Sequence, residues 1–202
     1  RRLGYRPKFE NIVWEDKDEL LADGTVDCLW SSYSMNGRED KYQWAGPYLY
    51  SRQMVVVKNE SEIQTLSDLK GKRIAVQATT KAEDLFLHNI KSDLPQMQQV
   101  NCFSTTNEIY AALRKSYVDA IAGHEAMLGS LVKEGKDAYR MLDESIYKSE
   151  LGVAFKKGTH EEVAADLTET LKKLQREGIT EKIVTKYGLD ADEILPEGEQ
   201  NE

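Results

Sequence analysis

The chain has 202 residues, 40% hydrophobic and 31% charged, a balance that excludes disorder as the main state and is long enough to bury a core. Its 27 basic residues against 35 acidic ones leave a net charge of −8, with lysines scattered among glutamates, which excludes the basic stripe of a nucleic-acid binder. No apolar run reaches the roughly 20 residues that a membrane helix needs.

In chain order, residues 9–13 read as a strand and residues 17–22 as a short helix that ends at Gly24. Residues 26–31 form an aliphatic strand, followed by the polar stretch Ser32-Tyr33-Ser34-Met35-Asn36-Gly37-Arg38. Gly46-Pro47-Tyr48 breaks the pattern, and residues 54–57 are a continuous apolar run suited to a buried strand. From there the elements alternate: strands at 73–77, 99–103 and 118–122, helices at 81–90, 107–115 and 125–133. That order implies right-handed crossovers and mostly parallel sheets. A return strand at 151–155 precedes the longest helix, where Thr159 and Glu162 have capping-box spacing and Val163, Leu167, Leu171 and Leu174 share a face. Gly178 ends that helix, a second short one carries Ile183 and Tyr187, and residues 190–202 read as an acidic frayed end or linker.

One phrase occurs twice: Leu21-Ala22-Asp23-Gly24-Thr25-Val26-Asp27-Cys28-Leu29 and Leu113-Arg114-Lys115-Ser116-Tyr117-Val118-Asp119-Ala120-Ile121. Each copy reads as a helix end, a turn and a strand, the αβ half of a crossover unit, so the chain is expected to form two similar lobes with function in the crevice between them. Lobe 1 is expected at 1–52 and 149–196, lobe 2 at 53–148, and an acidic tail at 197–202. Cys28 and Cys102 read as small buried apolar residues, one per lobe, rather than as a disulfide. The opening Arg1-Arg2-Leu3-Gly4-Tyr5 contains no apolar leader segment.

Two places read as anion sites. Thr79-Thr80-Lys81-Ala82-Glu83 follows the strand Ile74-Ala75-Val76-Gln77, so a helix N-terminus with its free N–H groups is expected at a strand's carboxyl end. Thr80 and Glu83 have capping-box spacing, and plain capping explains the same residues. Ser32, Ser34 and Arg38 offer two hydroxyls and a guanidinium fork that matches a carboxylate; a polar turn with a solvated arginine is the alternative. Tyr33, Trp30 and Trp14 are candidate aromatic walls, with Trp30 and Trp14 reading as core. His88 and His160 stand alone on helices, so no metal site and no cofactor is expected.

The run Val26-Asp27-Cys28-Leu29-Trp30-Ser31-Ser32-Tyr33-Ser34-Met35, then Arg38 and Trp44-Ala45-Gly46-Pro47-Tyr48, resembles the signature of the type II periplasmic solute-binding proteins that bind amino acids, family 3. Leu69-Lys70-Gly71-Lys72-Arg73-Ile74-Ala75-Val76-Gln77, Val118-Asp119-Ala120, and Leu151-Gly152-Val153-Ala154-Phe155-Lys156-Lys157-Gly158 follow in the same order, as does the closing segment from Gly178 to Gly188. The resemblance implies an α/β, two-lobed periplasmic-binding-protein-like fold of type II that closes on one small solute. By position, Arg38 would clamp the ligand's α-carboxylate, Ser32 and Ser34 would flank its polar groups, and Thr80 with nearby N–H groups would complete the site from lobe 2.

The chain also departs from that pattern. Thr79 stands where the family usually has glycine, Lys81 replaces a threonine, and one residue is missing between Met35 and Arg38. The acidic position that commonly grips a ligand ammonium falls on His124, with Glu125 beside it. The family's opening strand and first helix are not found in this sequence, so lobe 1 is expected to be incomplete unless another chain or further residues supply that piece.

The expectation is therefore an extracytoplasmic binding protein without catalysis, for a small carboxylate-bearing solute such as an amino acid, serving ABC-type uptake or sensing with a membrane permease or signalling module as partner. The ligand-binding candidates are Ser32, Tyr33, Ser34, Arg38, Thr79, Thr80, Lys81, His124 and Glu125. The rival expectations are a dehydratase acting on cyclic acids, with Glu125, His124 and Lys81 as acid–base groups, and the ligand-input domain of a membrane sensor.

Overall fold

The apolar run at Met54–Val57 is central to the fold: Val55, Val56 and Val57 are fully buried, inside a strand of seventeen residues, Tyr42–Lys58. The computed structural model describes residues 2–88, 90, 93–135 and 137–196. The elements are α1 (Lys17–Ala22), β1 (Cys28–Leu29), β2 (Tyr42–Lys58), β3 (Arg73–Gln77), α2 (Lys81–Phe86), β4 (Gln99–Phe103), α3 (Thr106–Arg114), β5 (Ala120–His124), α4 (Glu125–Glu134), β6 (Tyr139–Met141), β7 (Tyr147–Lys156), α5 (Glu161–Arg176), α6 (Ile179–Lys186) and α7 (Ala191–Ile194). They fall into two units, one made of Arg52–Lys148 with Val13–Glu15, the other of Asp16–Ser51 and the chain from Ser149 onward with the segment up to Ile12. Strands β2 and β7 each run from one unit into the other.

The Arg52–Lys148 unit is an α/β sandwich in which β3 pairs in parallel with both β4 and β5, and β2 pairs antiparallel with β5 and β6. Side chains alternate across a strand, so the continuous apolar runs supply both faces. Val55, Val57, Ile74, Val76, Ala120 and Ala122 pack with Ala82, Leu85 and Phe86 of α2, while Met54, Val56, Ala75 and Ile121 pack with Ile109, Ala112 and Leu113 of α3 and Leu128 of α4. A capping box begins α3: Thr105 Oγ1 accepts the Glu108 N–H at 3.3 Å, and Glu108 Oε2 accepts the Thr105 N–H at 2.9 Å.

In the other unit β1 pairs antiparallel with β7, Cys28 opposite Phe155 and Leu29 opposite Ala154. Ala45, Val153, Phe155 and Ala164 form its core, with Val163 and Leu167 of α5 packed against them. Gly152 permits a close approach here, since a Cβ would meet Met35 Sδ at 2.6 Å and Trp44 Cε3 at 2.9 Å.

Several sequence expectations need correction. Residues 9–13 form no strand, and Phe9 is 90% exposed, because the segment finds no ladder partner. The strand expected at 26–31 pairs only at Cys28–Leu29 among the described residues, and antiparallel to β7; the β3–β4 and β3–β5 pairings are parallel. Gly46-Pro47 does not interrupt the chain's extended course, since both residues lie inside β2. At α5 the capping box is absent: His160 takes the cap position at φ +56°, and Thr159 Oγ1 donates to Lys156 O at 2.7 Å. Cys102 is exposed and Cys28 half-buried, both as free thiols. Trp30, read as core, is 54% exposed. The short strand β6 carries no periodic pattern that predicts it. Residues 191–194 form α7 with Ile194 buried instead of a frayed end, while residues 197–202 lie outside the described residues.

Candidate functional site

The first group of candidates sits between β1 and β2. Two backbone links and one side-chain link stitch this segment to β7: Met35 N–H donates to Glu150 O at 2.8 Å, Gly152 N–H to Tyr33 O at 3.1 Å, and Glu150 N–H to the Asn36 side-chain Oδ1 at 2.7 Å. A tight turn follows, with Gly37 at φ +75° and the Arg38 N–H on Met35 O at 2.8 Å. The turn brings the Arg38 guanidinium back over its own segment, 5.3 Å above the Tyr33 ring and with NH1 donating to Ser34 O at 3.3 Å. Ser34 is 2% exposed and its Oγ has no hydrogen-bond partner among the described residues. A buried hydroxyl in that state is costly unless something else fills its partner position. Ser32 is exposed. Tyr33, read as an aromatic wall, is 3% exposed and donates its hydroxyl to Tyr42 at 2.7 Å, so its ring supports Arg38 instead of facing solvent.

The second group lies at the carboxyl ends of the neighbouring parallel strands β3 and β5, where free backbone groups collect. Thr79 has φ +58°, a left-handed conformation that a β-branched residue adopts at a cost, and one in which glycine is the natural occupant. Its buried Oγ1 has no hydrogen-bond partner among the described residues, and its N–H donates to Glu83 Oε2 at 2.6 Å. The expected Thr80–Glu83 capping box is therefore shifted by one residue: Glu83 reaches Thr79, and Thr80 Oγ1 donates to Gln77 O at 2.6 Å instead of capping α2. Lys81 is 6% exposed, with Nζ 5.1 Å from the Tyr147 ring centroid.

His124 ends β5 opposite Gln53 on β2, whose Nε2 lies 3.0 Å from Nδ1 and 3.2 Å from Nε2 of the imidazole. Glu125 meets Arg52 in a bidentate pair, at 2.8 Å from Arg52 Nε and 2.6 Å from NH2. Its carboxylate is thus already neutralised by a guanidinium fork. Sequence reading missed Arg52 and Gln53. The signal available was two polar residues directly ahead of an uninterrupted apolar run; the structure shows one of them, Gln53, to be fully buried.

Other titratable groups are structural. Burial pushes the Tyr48 phenol up to about 12, and its hydroxyl donates to Ser31 O at 2.7 Å. Desolvation and the neighbouring Glu83 push the Cys102 thiol up to about 12. Among the described residues, no group of three or more His, Cys, Asp or Glu is placed to hold a metal, and no helix is long and apolar enough to cross a membrane.

A parallel β5–β3–β4 core, antiparallel β1–β7 pairing and a division into two units, one of them discontinuous in sequence, define an α/β fold of two units. In line with this, the structure resembles that of the substrate-binding protein of an amino acid ABC transporter, at 27% identity and a TM-score of 0.80 over 92% of this chain and 81% of that one. The chain belongs to the bacterial extracellular solute-binding proteins, family 3, whose sequence pattern matches residues 1–190. It is 26% identical over 190 residues to the L-cystine-binding protein TcyJ of Escherichia coli (strain K12), spanning 93% of this chain and 69% of that protein. It is also 25% identical over 193 residues to the glutamate-binding protein GluB of Corynebacterium efficiens, of whose length it spans 63%.

Proposed function

We propose that this chain is an extracytoplasmic binding module for a small amino-acid-type solute, that it hands the solute to a membrane permease for ABC-type uptake, and that it catalyses no reaction. Arg38 clamps the ligand carboxylate with its guanidinium fork, Ser34 Oγ supplies a further hydrogen bond, and Ser32 flanks the same group. Thr79, Thr80, Lys81, His124 and Glu125 are the further ligand-binding candidates, all of them in the Arg52–Lys148 unit. The observation that carries the reading is the buried Ser34 hydroxyl without a partner beside the Arg38 guanidinium, in a chain of this family. The names of the matched relatives, which bind cystine and glutamate, point to the same solute class.

Calorimetry against L-cystine, L-glutamate and other common amino acids tests this. One of them binds to the native chain, and Arg38→Ala lowers its affinity by about a hundredfold or more, because a charge-assisted pair is lost in a dehydrated site. Unchanged affinity in a folded Arg38→Ala protein would remove Arg38 from the site. Recovery of every bound solute unaltered after prolonged incubation is expected of a carrier, and a consumed solute would show an enzyme.

A further inference from the structure

We propose that Asp18 is a positioning residue for Arg38, acting through the hydroxyls of Tyr42 and Tyr33; the inference rests on the reading of Arg38 as the carboxylate clamp. Asp18 lies on α1, Tyr42 opens β2, and Tyr33 precedes the Arg38 turn, so three separate elements meet in one chain of contacts. The Tyr42 hydroxyl donates to Asp18 Oδ1 in a short bond, and the Tyr33 hydroxyl donates to Tyr42 Oη at 2.7 Å.

That direction is fixed by chemistry. A carboxylate can only accept, so Tyr42 must spend its proton on Asp18 and must in turn accept from Tyr33. Each bond polarises the next. The electron-rich end of the chain is the Tyr33 ring, and the Arg38 guanidinium lies 5.3 Å over it, at cation–π distance. Tyr33 and Tyr42 are 3% and 4% exposed, so water does not compete for these bonds. Their rings also meet edge to face at 5.5 Å, and each packs on Trp44, whose Nε1–H donates to Arg38 O at 3.0 Å. Lys41 closes the far end, 2.8 Å from Asp18 Oδ2 and 5.3 Å over the Tyr42 ring.

The chain stays intact around neutral pH. Although burial opposes it, the bonds from Lys41 and Tyr42 hold the Asp18 carboxyl below its usual range, while burial and then Asp18 hold the Tyr42 phenol well above its own. Asp18 thus fixes the platform on which the guanidinium rests without touching the ligand itself.

Two readouts separate positioning from a merely structural role. The first is the Nε–H resonance of Arg38 in the ligand-free protein, assigned by its loss in Arg38→Lys. Asp18→Asn and Tyr42→Phe are both expected to shift it, and Asp18→Glu, which keeps the carboxylate, to restore it. The second is L-cystine affinity by calorimetry: Tyr42→Phe weakens it by about two- to tenfold in the native chain and by nothing further on an Arg38→Ala background. An unmoved resonance in both folded variants, or an equal loss with and without Arg38, overturns the proposal. Should Asp18→Asn fail to fold, Tyr42→Phe and Tyr33→Phe carry the same test, since each deletes only a hydroxyl. If Arg38→Ala leaves L-cystine affinity unchanged, the clamp reading fails by itself, and the resonance still decides whether Asp18 positions Arg38.

Discussion

At Ser34 a single oxygen sets stability against the proposed ligand contact. Its hydroxyl is buried without a partner, so Ser34→Ala removes an uncompensated desolvation cost and is expected to leave the ligand-free melting temperature unchanged or slightly higher. Affinity falls by about three- to tenfold, the worth of one hydrogen bond. Thermal denaturation without ligand, set beside calorimetry with it, checks both halves, and a lower ligand-free melting temperature would make the hydroxyl structural. At Asp119 the charge serves the fold. Its carboxylate takes bonds from the Arg73 N–H at 2.8 Å, Nε at 3.1 Å and NH2 at 2.7 Å, and the Arg73 side chain holds its pKa below the ordinary value. A depressed pKa means stability that is fully present above the unfolded value and lost as pH falls through the folded one. Asp119→Asn is therefore expected to cost about 1 kcal/mol at neutral pH, a modest figure because both side chains are about one-third exposed, and the difference from the native chain shrinks below about pH 4. Urea denaturation from pH 7 down to pH 3 measures it.

At the scale of elements, β7 shows how closely the Arg38 turn is held. Gly152→Ala would push a methyl into Met35 and the Trp44 ring. Met35 can swing away, but Trp44 is tied to Arg38 O by its Nε1–H, so the strain passes to the turn. Destabilisation of about 1–3 kcal/mol is expected, with weaker ligand binding, and a lower urea midpoint at constant slope would show it. The elements legible in the sequence were those whose apolar pattern is local: β3 and β4 at the residues expected, α1 likewise, and α3, β5 and α4 within two residues at either end. Those that misled depend on distant partners. Phe9 looks like a strand residue but meets no neighbouring strand, and the start of β2 is extended through a glycine and a proline because β7 lies alongside. The capping-box spacings diverged for a local reason instead. Thr105–Glu108 forms the box; Thr80–Glu83 and Thr159–Glu162 do not, since each threonine hydroxyl finds a carbonyl three residues back instead.

For the whole molecule, the family and the site candidates came from motif order along nearly the full chain, a signal that survives 26% identity because it rests on spacing. Partners such as Arg52 for Glu125 and Asp18 for Tyr42 were not legible, because nothing local tells which residue will lie opposite across a strand or helix. A binding protein should also show its ligand through its stability. A solute at a hundred times its dissociation constant adds about 2.7 kcal/mol to the native state, so the correct amino acid raises the melting temperature in a concentration-dependent way and the others do not. A flat response to all common amino acids and small organic acids would argue against the proposed solute class.

The two units are also encoded differently along the chain. Apart from Val13–Glu15, the inner one is a single uninterrupted stretch from Arg52 to Lys148, whereas the outer one needs residues from both sides of it. During synthesis the inner unit can therefore complete its core while the ribosome is still reading the second arm of the outer one. Until β7 emerges, the serine–arginine turn has no backbone to hold it, and the nascent chain lacks the carboxylate clamp proposed above.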